Sequence, residues 1–291
     1  AIMSAAIVGL FPVLVNKGVQ SIPPLFFAGI STFIAAIGGV FYVLQQKKFH
    51  QFKIKKAYFP MIMVTLLIVV IPYIMMFIGA SKTSGLNTAV LTLSEIIFTV
   101  IFTHFFGEKT SVFKILGAGG IFIGSFFVLY KGSMSINTGD ILIILSTITY
   151  PFGNFYSKKA LSMVSPSVIV LFRFTLAGII LTTLSLITED QTGIVDTINK
   201  NLPMLLFNGL FVLSVGKIVW YEALKRLDIS KAISLEMTFP IFSLITLVFF
   251  FNEKISSTQW IGIGIMMVGV IFSVLRKSAD PSKTRYSGEI A

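Results

Sequence analysis

The chain has 291 residues, 55% of them apolar and 12% charged, with a mean hydropathy of +0.90 and a formal net charge of +11. Soluble domains carry about 25% charged residues, so this composition excludes one and implies an all-α polytopic membrane protein. The basic excess does not signal nucleic acid, because lysines and arginines sit in short segments between apolar runs. The absence of cysteine excludes a disulfide framework or a thiolate metal site.

Apolar runs near the ~20 residues needed to cross a bilayer recur along the whole length. In chain order they predict ten transmembrane helices, at roughly 1–17, 22–44, 57–79, 84–106, 113–130, 139–158, 166–188, 203–224, 229–251 and 257–275. Connections are short except at Gln45–Lys56 and Glu189–Leu202. The chain opens inside an apolar stretch without the basic segment and cleavage site of a signal peptide. That stretch reads as a helix whose upstream residues lie outside this sequence.

Lysine and arginine set the expected orientation. With the N-terminus cytoplasmic, the outer loops hold only Lys17, Lys82, Lys131, Lys200 and Lys254. Arg173 and Lys217 lie inside helices, and the other basic residues fall in inner segments. That bias places both termini in the cytoplasm.

The sequence also repeats. EIIFTVIFTHFFGEKTSVFKILGAGGIFIGSFFVL (95–129) aligns with PIFSLITLVFFFNEKISSTQWIGIGIMMVGVIFSV (240–274) at an offset of 145. Glu108-Lys109 then falls on Glu253-Lys254, and Gly117, Gly119 and Gly124 fall on Gly262, Gly264 and Gly269. Earlier helices align at offsets of 142 and 143, with Lys17 on Lys159, Pro24 on Pro166 and Ala80 on Ala223. Five helices separate equivalent points, an odd number, so the halves are inverted. The expected units are a first five-helix repeat (1–132), a second, inverted repeat (133–277) and a cytoplasmic tail (278–291). Inverted membrane repeats usually carry a solute site where the halves meet.

Ala223-Leu224-Lys225, Ser230-Lys231-Ala232, Leu235-Glu236, Pro240-Ile241-Phe242, Asn252-Glu253-Lys254 and the Arg173-Phe174 pair are similar to the motifs of the EamA-type transporters of the drug/metabolite transporter superfamily. The first half departs at Ser31-Thr32, where the arginine pair would stand, and at Glu95, which stands in the place of Pro240. The resemblance covers nearly the whole chain. It implies a helical basket with a central cavity lined mainly by helices 1, 3, 4, 6, 8 and 9. It also implies export of amino acids or other small metabolites.

A charge inside the bilayer costs at least ~2.5 kcal/mol on insertion scales, so each needs a reason. Glu95 lies about eleven residues into the fourth span, roughly 16 Å along its axis, near the midplane. Burial favours the neutral form of a carboxyl group, so it suits proton coupling or a substrate amine. The structural alternative is a protonated Glu95 bonded to a neighbouring helix. Arg173, Lys217 and Glu236 share a depth of ~10 Å from the cytoplasmic face. They could bind a carboxylate or hold a cytoplasmic gate by ion pairing; otherwise the cations snorkel to the interface.

Prolines at Pro12, Pro72, Pro151 and Pro240 are expected to break helices 1, 3, 6 and 9. Pro12 and Pro151 occupy corresponding helices of the two halves, where interruptions point to a site. Tyr150 and Asn154 flank Pro151, and Tyr73 follows Pro72. Asn16, Asn87 and Asn208 either orient a polar solute or join helices. Trp220 and Trp260 read as interfacial belt residues, and the glycine rows as close-packing faces. Gly120-x-x-x-Gly124 is also a candidate oligomer contact, so monomer and homodimer stay open.

No H-E-x-x-H motif provides zinc ligands, no filter or charge ring marks a channel, and no Walker A sequence binds ATP. The reading is therefore a secondary transporter, not an enzyme, with no cofactor. Its partners are a small-molecule solute, the lipid bilayer and, as one option, protons. A lipid or lipid-linked sugar flippase is the alternative.

Overall fold

The computed structural model describes residues 2–102, 112–129, 136–226, 236 and 238–274. They form ten helices, as the hydropathy predicts, because only a helix satisfies its own backbone polar groups in lipid. These are α1 (Ile2–Val8 and Leu10–Gly18), α2 (Pro24–Gln45), α3 (Tyr58–Val64, Thr65–Val70 and Ile71–Ala80), α4 (Gly85–Leu91 and Ser94–Phe102) and α5 (Val112–Leu129). The second half holds α6 (Thr138–Ser146 and Tyr150–Leu161), α7 (Pro166–Thr188), α8 (Ile194–Leu206, Phe207–Val215 and Gly216–Arg226), α9 (Phe239–Phe251) and α10 (Ser257–Val274). Five of these helices, α2, α3, α4, α7 and α8, are long and apolar enough to cross a membrane by length and composition, and four others are shorter apolar helices. The Glu108-Lys109 loop, Ser230-Lys231-Ala232, the 132/133 boundary and the tail lie outside the described residues.

The repeat is visible in how equivalent helices pair. α2 packs antiparallel on α7, and each caps the other. Glu189, just past α7, accepts the Leu25 and Phe26 N–H groups at the start of α2, both at 2.8 Å. Gln51, past α2, accepts the Ser165 N–H at the start of α7 at 2.7 Å. These bonds satisfy donors that a helix start leaves open.

α5 and α10 form the second such pair, joined through glycine. A Cβ on Gly124 would lie 2.6 Å from the Gly262 carbonyl oxygen, and one on Gly262 would lie 2.7 Å from that of Gly124. Gly120 faces Gly269 in the same seam, so Gly120 and Gly124 are spent inside the chain rather than on an oligomer contact. Gly119 and Gly264 have nothing within 4 Å of a built Cβ. Gly124→Ala and Gly262→Ala should each lower stability by about 1–3 kcal/mol through overpacking. Gly119→Ala and Gly264→Ala should raise it by about 0.5–1 kcal/mol. Thermal melts of the four variants in one detergent check this; equal effects at all four sites would remove the seam.

The helix interruptions also obey the repeat. α1 breaks at Gly9 and α6 at Thr147–Thr149, α4 turns at Thr92–Leu93 and α9 is preceded by a turn at Thr238. π-helical stretches occupy Thr65–Val70 of α3 and Phe207–Val215 of α8. At the offset of 143 the first falls inside the second.

Pro12, Pro151 and Pro240 each follow such a break, as expected. Pro72 does not break α3; the widened π stretch ahead of it absorbs the missing donor. Backbone carbonyls beside two of the interruptions accept side-chain hydroxyls: Ser243 Oγ donates to the Gly9 carbonyl at 2.6 Å, and Thr149 Oγ1 to that of Leu67 at 2.7 Å.

One predicted connection is corrected. Glu189–Leu202 is not all loop, because Ile194 already begins α8. Gly193 turns the chain in the left-handed conformation (φ 68°), Asp196 sits in the first helical turn, and Ile194 and Ile198 pack on the core. Pro203 thus lies inside the helix rather than at its start.

Candidate functional site

Those interruptions surround a central cavity. α1 contributes Val8, Phe11 and Pro12 beside its break at Gly9; α3 contributes Ile68 from the π stretch, with Tyr73 and Met76 beyond it. Thr92 and Glu95 flank the α4 turn, Tyr150 and Asn154 come after the α6 turn, and Glu236 and Phe239 flank the turn before α9. Lys217 and Trp220 come from α8, and Arg173 from α7. Where a helix ladder is interrupted, polar groups at depth line the cavity instead of facing lipid.

Three of its charged groups find partners across the halves or within the second half. Asn154 Nδ2 donates to Glu95 Oε1 at 3.1 Å, joining α6 to α4. Lys217 Nζ lies 3.8 Å from Glu236 Oε1, and Ser4 Oγ donates to the same oxygen at 3.5 Å. Above Glu95, Ser94 Oγ meets Thr147 Oγ1 at 2.9 Å, so the α4 and α6 turns touch.

Arg173 is 1% exposed, which excludes snorkelling. Its Nη1 donates to the Tyr221 hydroxyl at 2.6 Å, and its guanidinium lies 4.3 Å from the Phe174 ring centre and 5.2 Å from that of Tyr221.

Eight of the ten residues singled out from sequence therefore line one cavity: Glu95, Glu236, Arg173, Lys217, Pro12, Tyr150, Asn154 and Tyr73. Pro151 is buried behind the wall and shapes the α6 turn. Asn87 lies elsewhere, donating through Nδ2 to Asp140 Oδ1 at 2.8 Å and joining α4 to α6. Asn16 and Asn208 join helices as well, through the Ala80 carbonyl and the Ser31 hydroxyl.

Trp220 is corrected from belt residue to cavity wall, at 4% exposure, whereas Trp260 is exposed. Sequence reasoning missed Thr92, Phe11 and Tyr221. Only Tyr221 carries a signal, a tyrosine one helical turn from Lys217.

At the Lys17 end the cavity is shut. Phe11, Tyr73, Phe77 and Phe27 form an aromatic stack, with Tyr73 5.3 Å from Phe11 and Phe77 5.4 Å from Phe27. Beyond it, Lys17 Nζ pairs with Glu253 Oε2 at 3.3 Å, and Glu253 Oε1 accepts the Leu86 N–H at 3.1 Å. This carboxylate ties the end of α1, the start of α4 and the α9–α10 connection.

The model of the EamA-like transporter family matches residues 1–130 and again 137–275. The chain belongs to the EamA-like transporter family. Family relatives include the uncharacterised transporter YoaV of Bacillus subtilis (strain 168), 24% identical over 90% of each chain. A "Probable amino-acid metabolite efflux pump" of Escherichia coli (strain K12) is 23% identical over 94% of this chain and 93% of its own. The uncharacterised inner membrane transporter YedA of the same strain is 22% identical over 92% of this chain and 87% of its own. A crystal structure 14% identical superposes with a TM-score of 0.69, covering 93% of this chain and 96% of that one, which shows the shared fold. The EamA family assignment makes this chain a multi-pass membrane transporter, and two matches in one chain are the two repeats.

Proposed function

We propose that the protein is a secondary-active exporter of amino acids or related small metabolites, working by alternating access about the central cavity. The observation that carries this is the cavity itself. Both halves line it, it holds Glu95, the Lys217–Glu236 pair and Arg173, and it is closed at one end. The efflux-pump relative supports the solute class. In this reading both termini are cytoplasmic, the Lys17 end faces outward, and the protein sits in the inner (plasma) membrane. Glu95 exchanges its Asn154 partner for a proton or a substrate amine.

The test is transport in proteoliposomes with labelled amino acids under an imposed pH gradient. Glu95→Gln should cut gradient-driven transport at least about tenfold, which is ~1.4 kcal/mol, while the melting temperature holds. Transport of native rate and unchanged pH dependence in that variant removes Glu95 from coupling. Translocation of lipid-linked sugars alone replaces the exporter reading with a flippase.

A further inference from the structure

Arg173 stands out in the cavity for what it lacks. A guanidinium offers five donors, and Nε with Nη2 forms the side-on edge that matches the two oxygens of a carboxylate. In this protein Nη1 is taken by Tyr221 and the ring faces of Phe174 and Tyr221 fix the plane. Nε and Nη2 are both buried without a hydrogen-bond partner among the described residues.

The cavity's carboxyl groups are engaged elsewhere, Glu236 with Lys217 and Ser4, Glu95 with Asn154. A desolvated cation with an unused two-donor edge is costly, and a planar anion that fits the edge relieves the cost. Arg173 lines the cavity, so the unpartnered edge belongs to a residue of the cavity wall.

We infer that the Nε–Nη2 edge of Arg173 is a carboxylate subsite of the central cavity, selecting solutes that carry a free carboxylate over their neutral or cationic derivatives. This rests on the reading of the cavity as the transport site and deepens it. Lys217 is not equivalent, because its ammonium is already paired with Glu236 and a point charge lacks the fork.

Trp220 gives the readout. The chain has two tryptophans, and Trp220 lines the cavity while Trp260 is exposed. In a Trp260→Phe background, Trp220 fluorescence is titrated with butyrate against butyramide and with L-leucine against L-leucinamide. A panel of amines and sugars is run alongside.

The acid of a pair should bind at least about tenfold more tightly than its amide, and Arg173→Lys, which keeps the charge, should erase that preference. Amides that match their acids, or an Arg173→Lys protein that binds the acid as the native one does, overturn the subsite. If the panel responds in that case, the cavity reading stands. Silence from every compound overturns both. The acid–amide comparison on the native arginine decides the matter even where the variant fails to fold.

Discussion

Asp140→Ala should be among the most damaging single substitutions in the chain, costing about 3–5 kcal/mol. Asp140 is 0% exposed and its carboxylate is fully used. Oδ1 accepts from Thr83 Oγ1 at 2.5 Å and from Asn87 Nδ2 at 2.8 Å, and Oδ2 accepts from the Asn137 N–H at 3.1 Å. In return Asn137 Oδ1 accepts the Asp140 N–H at 2.8 Å, closing a capping box at the start of α6. Hydrogen bonds to a charged group are worth about 1.5–3 kcal/mol each, and donors left buried without an acceptor add about 1–3 kcal/mol. The cluster also joins the two repeats, because Thr83 and Asn87 belong to the first and Asp140 to the second. Asn87→Ala should cost less, about 1–2 kcal/mol, since Thr83 and Asn137 remain on the carboxylate. The double variant should fall short of the summed effects, as groups in one network do. Thermal melts of the three variants decide it, and an Asp140→Ala protein that melts with the native one overturns the account.

The same physics determines how much the sequence discloses. Helix positions were legible because a bilayer demands long apolar runs, and the inverted arrangement because Glu108-Lys109 and Glu253-Lys254 stand an odd number of helices apart. Charged cavity residues were legible because charge at depth is expensive, which isolates Glu95, Arg173, Lys217 and Glu236 from the rest of the chain.

Apolar wall residues were not legible. Phe11 and Trp220 look like any lipid-facing or core side chain until neighbouring helices are placed. The widened turn of Phe207–Val215 also rotates the rest of α8, Trp220 included, away from the face a regular helical period assigns. Asn87 was misplaced because an amide in a span serves a solute and a helix contact equally well. Only the position of Asp140, on a helix more than fifty residues away, decides between them. The start of α8 was missed because Pro203 resembles a first-turn proline, whereas the stop that matters is Gly193.

The closed Lys17 end should open when its carboxylate is neutralised. Glu253 makes two contacts that join separate helices, an ion pair to Lys17 and a hydrogen bond to the backbone of Leu86 at the start of α4. The second is the stronger tie, because a carboxylate on open helix N–H groups also meets the positive end of the helix dipole. Lys17 is half-exposed and its pairing is screened, so Lys17→Gln should shift the conformational balance only slightly. Glu253→Gln weakens both contacts. A loss of about 1.4 kcal/mol moves the open-to-closed ratio about tenfold. Lys254, exposed beside it, provides the control. The chain has no cysteine, so spin labels at Gln20→Cys and Ser257→Cys, both exposed at this end, need no background substitutions. Pulsed electron spin resonance should give one short separation in the native protein. A longer one should grow strongly in Glu253→Gln, weakly in Lys17→Gln and not at all in Lys254→Gln. Equal distributions in all three would mean that the aromatic stack of Phe11, Tyr73, Phe77 and Phe27 closes the cavity alone. The gate would then lie one helical turn deeper, between Tyr73 and Phe77, and not at the salt bridge.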